Sequence, residues 1–163
     1  KSTVLRYFNA CGADEGGQIG QSYQPATHLI SIVLEAAKGL RDKVVIYGGD
    51  WDTPDGSCVR DFIHVNDLAE AHILALEKLL QSNISAAYNL GSGSGYSVHQ
   101  VIAKAKEISG LQFPTEIGPV RPGDPARLIA DNRKAQKDLG WKPKRNLHDI
   151  VGTAWLWEQN KSF

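Results

Sequence analysis

The sequence predicts an α/β fold with parallel strand pairing and a sheet that the chain itself does not complete. Short β-branched and aromatic runs alternate with helical apolar spacings along the 163 residues, yet too few such runs occur for a whole doubly wound sheet. In addition, Thr3-Val4-Leu5-Arg6-Tyr7-Phe8 reads as a strand already under way in a sequence without Met, so we expect a fragment of a longer protein, organised as one unit over residues 1–163.

The first strand ends at Asn9, and the Gly-rich stretch from Gly12 to Pro25 reads as a long, functional loop. From His28 to Leu40, the spacing of Leu29, Ile32, Val33, Ala36 and Ala37 predicts a core-facing helix with Gly39 near its end. Lys43–Tyr47 and Cys58–Val65 are extended candidates separated by polar residues. Val65, Leu68, Ala69, Ile73, Leu76 and Leu80 fall on one helical stripe, with Asn66 or Asp67 available as its N-cap. Ala87–Leu90 reads as a strand. Ser97 with Gln100 forms a capping box ahead of Val101, Ile102, Ala105 and Ile108, and Gly110 closes that helix. A loop rich in Pro and Gly spans Pro119–Pro125, followed by helical patterns over Asn132–Leu139 and from Asn146 to about Gln159.

Composition narrows the functions available. With 42% hydrophobic and 22% charged residues the chain should fold, and Lys plus Arg equals Asp plus Glu at 18 each, leaving no positive surplus for nucleic acid or an anionic membrane. No apolar run is long enough to span a bilayer, and the start is not a signal peptide, so a cytoplasmic location is expected. Cys11 and Cys58 offer neither a disulfide framework nor metal-ligand spacing and are expected to be packed thiols.

Gly91-Ser92-Gly93-Ser94-Gly95-Tyr96-Ser97 follows a strand and precedes a helix, as a dinucleotide-binding turn does. Tyr96 stands where the third glycine belongs, and Glu116, the acidic residue at about the right distance, lies in a doubtful strand, which favours an ordinary strand-to-helix turn. No Tyr is followed four residues later by Lys, the pair whose cation would lower a phenol pKa for proton transfer. Dispersed polar residues beside turns remain: Asn9, Arg60 with Asp61, and Arg121-Pro122-Gly123-Asp124. Alone, an Arg-Asp pair reads as a surface ion pair; together these residues offer two guanidinium forks suited to a diphosphate and a carboxylate suited to ribose hydroxyls.

The motif order is Leu5-Arg6-Tyr7-Phe8-Asn9, then Val59-Arg60-Asp61-Phe62-Ile63-His64-Val65-Asn66-Asp67-Leu68-Ala69, then Tyr88-Asn89-Leu90-Gly91-Ser92-Gly93. Arg121-Pro122-Gly123-Asp124-Pro125-Ala126 and Leu139-Gly140-Trp141 follow. This series resembles the C-terminal half of UDP-glucose (UDP-galactose) 4-epimerases, in the extended short-chain dehydrogenase/reductase family. The resemblance implies the last strands of a Rossmann-type sheet plus the smaller sugar-nucleotide-binding domain. It also implies an NAD cofactor held mainly by an N-terminal half that supplies the Tyr and Lys, so no catalytic residue and no metal ligand is assigned here.

By position, the resemblance implies that Asn9 meets the sugar diphosphate and that Tyr7 and Phe8 border the nicotinamide. His28 and Leu29 occupy a place where an Asn-Leu pair near the phosphates is common, so His28 departs from the pattern. Val45 and Tyr47 would border uracil, Arg60 and Arg121 would hold the diphosphate, and Asp124 would accept from ribose. Leu128 matches a gate position that admits or excludes an N-acetyl group. The implied substrates are UDP-glucose and UDP-galactose, interconverted through a 4-keto sugar anchored by its UDP, and the intact protein would be a homodimer. Two other readings are a related sugar-nucleotide epimerase, dehydratase or decarboxylase, and a non-catalytic UDP-sugar-binding module; the combination of Arg60–Val65 with Arg121–Arg127 favours the 4-epimerase.

Overall fold

The computed structural model describes residues 1–22 and 25–161. Tyr23 and Gln24 of the expected loop, and Ser162 and Phe163 at the C-terminus, lie outside the described residues. In chain order the elements are β1 (Thr3–Tyr7), β2 (Asn9–Cys11), α1 (Leu29–Ala37), β3 (Val44–Tyr47), β4 (Val59–Arg60), β5 (Phe62–His64) and α2 (Val65–Ser82). They continue with β6 (Ala86–Leu90), β7 (Tyr96–Ser97), α3 (Val98–Ser109), β8 (Thr115–Gly118), β9 (Arg127–Leu128), α4 (Arg133–Leu139) and α5 (Leu147–Asn160).

Parallel pairing dominates, as the alternation of strands and helices predicts. β1 pairs with β6 from Thr3↔Ala86 to Tyr7↔Leu90, β2 with β5 from Asn9↔Phe62 to Cys11↔His64, and β3 with β8 from Val44↔Thr115 to Tyr47↔Gly118. The exception is the small sheet β7-β4-β9, in which β4 runs antiparallel to β7 and parallel to β9. Glu116 is thus in a genuine strand. The single extended run expected over Cys58–Val65 is instead two strands broken at Asp61, which lets β4 and β5 join different sheets.

Local signals fix most helix ends. Ser97 and Gln100 close the expected capping box of α3, and Gly110, with φ 69°, ends it in the left-handed conformation. Asn146 and Asp149 make the same reciprocal pair on α5, each cap contributing about 1 kcal/mol. At α2 the expected caps Asn66 and Asp67 are displaced by His64, whose Nδ1 accepts from the Asn66 amide at 3.0 Å. Asp67 is fully buried because it serves another purpose: its carboxylate accepts from the backbone amides of Lys144 and Arg145 and from the Arg145 side chain.

Two cores result. One gathers Ile30, Val33 and Leu34 of α1, Val44 and Ile46 of β3, Val101 and Ile102 of α3, and Ile150 and Val151 of α5. The other packs Ile63, Leu68, Ala71, Tyr88 and Leu90 around Trp141, whose indole N–H donates to the Asp67 carbonyl at 2.8 Å. Burying a side chain such as Leu34 or Ile150 stabilises by roughly 1.5–3 kcal/mol. The expected stripe of α2 splits. Leu68 turns inward beside Ala71 and Ala75, while Ile73, Leu76 and Leu80 face outward at 57–75% exposure. The described part of the loop from Gly12 lies on α5, with the Trp157 indole donating to the Gln21 carbonyl at 2.9 Å and the Asn160 amide to the Gly17 carbonyl at 3.1 Å.

Candidate functional site

The end of β1, the start of α1, the end of β3, strand β4 and the Arg121–Asp124 turn converge on one cleft of about 540 Å³. Of the residues singled out by sequence, Tyr7, Phe8, Asn9, His28, Leu29, Val45, Tyr47, Arg60, Arg121 and Asp124 all line it. Leu128 does not: it is the register partner of Arg60 across β9 and β4, and its side chain is exposed outside the cleft lining. Cys58 lines the cleft as well, half-buried, with its thiol pKa raised chiefly by burial. Cys11 is packed as expected, its S–H donating to the Ile63 carbonyl at 3.4 Å and its pKa pushed far up by burial.

Each polar group is set by local chain chemistry. In Arg121-Pro122-Gly123-Asp124, Pro sits at the second position, Gly123 takes φ +85°, and the Asp124 amide donates to the Arg121 carbonyl at 3.2 Å. Those are the marks of a tight turn that needs a glycine at its third position, and it brings Arg121 and Asp124 together. Arg121 then lies over the Tyr47 ring, its guanidinium carbon 3.6 Å from the centroid. The stack holds the planar cation by its face and leaves its N–H edge for ligands.

Arg60 reaches the same cleft from β4. Its Nη1 donates to the carbonyls of Val59 at 2.9 Å and Pro125 at 2.8 Å, and Nη2 stands 3.4 Å from Asp124 Oδ1. Nη2 is buried and makes no hydrogen bond among the described residues. A buried N–H without an acceptor costs about 1–3 kcal/mol, which an anionic oxygen in the cleft would recover. Asn9 donates from Nδ2 to the Asp61 carbonyl at 2.8 Å, an arrangement that leaves its carboxamide oxygen free of any described partner. His28 Nδ1 accepts from Gln21 Nε2 at 2.9 Å, so its other ring nitrogen is the N–H donor. Two guanidinium groups against one carboxylate make the cleft a site for an anion.

The chain fills the Gly91–Gly95 turn with its own carboxylate. Asp61, fully buried, accepts from the amides of Ser92 at 2.6 Å, Gly93 at 3.0 Å and Ala130 at 3.1 Å. A Cβ at Gly91 would stand 2.6 Å from Asp61 Oδ2 and 2.5 Å from the Ala130 Cβ. Asp61 is therefore no surface partner of Arg60, which corrects the expectation for an isolated Arg-Asp pair. The signal that could have revealed it is its setting, an acid followed directly by the apolar Phe62-Ile63. Among the described residues no group of His, Cys, Asp and Glu could hold a metal, and no helix is long and apolar enough to cross a membrane.

The sequence profile of the family described as GDP-mannose 4,6 dehydratase matches residues 1–153. The chain belongs to that family. A UDP-glucose 4-epimerase of Halalkalibacterium halodurans is 52% identical over 95% of this chain and 47% of its own length. One from Streptococcus mutans is 46% identical over 98% of this chain and 48% of its own. Among solved structures, the UDP-glucose 4-epimerase of Stenotrophomonas maltophila, with bound NAD and formylated UDP-arabinopyranose, superposes with a TM-score of 0.93 at 39% identity, over 96% of this chain and 47% of that one. That of Bifidobacterium longum, in complex with NAD+ and UDP, gives 0.86 at 40% identity over 96% and 47%. This family member thus spans about half the length of the curated relatives it matches, and carries their fold over that half.

Proposed function

We propose that this chain is the substrate-holding part of a UDP-hexose 4-epimerase, gripping the UDP of UDP-glucose or UDP-galactose while the reaction inverts C4. The observation that carries the reading is the convergence of Arg60, Arg121, Asp124 and Asn9, distant in sequence, on one 540 Å³ cleft. Arg60 Nη2 and the Arg121 edge would meet the diphosphate, Asp124 would accept from ribose, and Val45 with Tyr47 would border the uracil. Asn9 would turn its free carboxamide oxygen toward the sugar diphosphate, with His28 and Leu29 beside the phosphates. Leu128, at the gate position but outside the cleft lining, would act on the sugar only through the β4–β9 pair.

This chain contributes binding and no proton-transfer residue, since Tyr-x-x-x-Lys is absent. NAD, when bound, supplies the hydride acceptor; Tyr7 and Phe8 fit the border of a nicotinamide. The Gly91–Gly95 turn, occupied by Asp61, does not fit its phosphates, so the cofactor would be held mainly by the remainder of an intact protein. That remainder would also cover the outer stripe of α2 and extend the sheet at β1, and the whole would act as a cytoplasmic homodimer. Holding the nucleotide rather than the hexose leaves a keto-sugar free to turn and present its other face, a use of remote binding energy. Neutral net charge gives nucleic acid no purchase.

The test is calorimetric titration of the chain with UDP and with uridine. UDP should bind more tightly than uridine, and Arg60→Ala or Arg121→Ala should each cost roughly tenfold or more, the value of a charge-assisted hydrogen bond. Equal affinity for UDP and uridine in the wild type, unaffected by either substitution, would remove the reading. The chain alone should show no epimerisation of UDP-galactose.

A further inference from the structure

Asp61 stands between β4 and β5, and every polar atom of the residue is engaged. Its amide donates to the Leu128 carbonyl at 3.1 Å, and its carbonyl accepts both the backbone amide of Asn9 at 3.0 Å and the Asn9 side-chain amide at 2.8 Å. Its carboxylate takes the amides of Ser92, Gly93 and Ala130. Two of the sheets that contribute to the cleft, β2–β5 and β7-β4-β9, therefore meet at one residue, with Asn9 bonded to it and Arg60 directly before it. A fully buried carboxylate held by three main-chain amides, with no ion-pair partner among the described residues, is an internal anion in a backbone nest.

We propose that Asp61 is a positioning residue, its carboxylate locking the β4–β5 break so that Arg60 and Asn9 face the diphosphate at a fixed separation. The nest that in other turns takes a ligand phosphate is here the socket for this lock. With the socket empty the amides of Ser92, Gly93 and Ala130 lose their acceptor, the break loosens, and Arg60 no longer stands beside Asp124. The uracil side of the cleft, Val45 and Tyr47 on β3, makes no bond in this network, so the effect falls on the phosphates. The proposal rests on the UDP-binding reading of the cleft.

Asp61→Asn keeps the volume but sets an NH2 group against an N–H donor. In the full chain it should weaken UDP binding about tenfold while changing uridine binding less than about twofold, a selectivity that a merely structural loss would not produce. In an ¹⁵N-labelled sample, the amide resonances of Gly93 and Ala130, the Asn9 side-chain amide and the Arg60 Nε–H should all move. An Asp61→Asn chain that keeps the wild-type ratio of UDP to uridine affinity overturns the proposal. If Asp61→Asn fails to fold, Gly91→Ala crowds the same carboxylate from the other side and must reproduce the selective loss; a wild-type ratio there overturns it equally. If the wild-type chain itself does not prefer UDP to uridine, the reading of the cleft is what fails. Asp61 is then judged by the Arg60 and Asn9 resonances alone, whose movement in Asp61→Asn supports the lock and whose constancy overturns it.

Discussion

Arg145 Nη1 lies 2.5 Å from Oδ1 of Asp67, a carboxylate with no solvent exposure. The same guanidinium reaches Glu15 at 2.6 Å and Glu70 at 3.5 Å, so one cation joins the Gly12 loop, α2 and the segment before α5. Breaking such a pair from the cation side leaves a buried charge. Arg145→Met is expected to lower the unfolding free energy by about 3 kcal/mol, as other buried pairs do when one partner is removed. Glu107→Ala, which breaks the solvent-screened surface pair of Lys104 with Glu107, should leave the unfolding midpoint almost unchanged. Urea denaturation of both variants measures the contrast, and equal losses would mean that Asp67 is held by its two backbone amides alone.

The stack of Arg121 on Tyr47 gives a second expectation. A guanidinium over an aromatic face is stabilised by roughly 0.5–2 kcal/mol, so Tyr47→Leu should weaken UDP binding several-fold. Tyr47→Phe keeps the ring and should bind like the wild type. The Tyr47 carbonyl, which accepts from the Trp51 indole N–H at 3.1 Å, is common to all three proteins, leaving the side chain as the only variable. Calorimetry with UDP decides it: equal weakening by Phe and Leu would assign the effect to the hydroxyl instead of the stack.

The α2 stripe shows both what the sequence makes legible and what it does not. Periodicity places Ile73, Leu76 and Leu80 together on a helix, because 3.6 residues per turn is a local property. It does not say which face meets the sheet. The close approach is made by Ala71 and Ala75, whose small side chains allow it, and the larger residues are left outward. Capping at Ser97 and Asn146 is legible for the same local reason. Asp61 is not, since its carboxylate bonds lie 31, 32 and 69 residues away and only folding brings them together. The cleft residues lie between these cases: motif order identifies Arg60 and Arg121, while the Tyr47 stack and the second role of Asn9, as a donor to Asp61, emerge from tertiary geometry.

An exposed apolar stripe on a helix favours self-association. The isolated chain is expected to show concentration-dependent oligomers in sedimentation velocity, and Leu76→Lys should suppress them while changing stability by no more than about 0.5 kcal/mol, as exposed substitutions usually do. Lys is nearly as good a helix former as Leu, so α2 itself should persist. Unchanged oligomers in the Lys variant would move the contact elsewhere, for instance to the unpaired edge of β1.

His64 makes the chain sensitive to mild acid. Its Nδ1 accepts from the Asn66 amide, so Nε2 carries the proton and donates to Thr153 Oγ1 at 3.0 Å; Thr153 in turn accepts from the Ala13 amide at 3.1 Å and donates to the Asp149 carbonyl at 2.9 Å. A proton added at Nδ1 would face the Asn66 N–H and break the α2 cap. Burial lowers the His64 pKa below its ordinary 6.5, and the nearby Arg145 cation adds to this against the opposing charges of Asp67, Glu15 and Asp149. Above pH 6.5 the imidazole is neutral in both folded and unfolded chains, and the network contributes in full. Below 6.5 the unfolded chain takes up a proton that the folded chain resists, so stability falls by up to about 1.4 kcal/mol per pH unit until the folded pKa is reached. His64→Asn retains a side-chain acceptor for the Asn66 amide and has nothing to titrate there. It should be less stable than the wild type at pH 8, through loss of the Thr153 bond, and the gap should narrow as pH falls from 6.5 to 5. Urea midpoints across that range read the difference directly, and parallel curves for the two proteins would show that His64 does not govern the acid response.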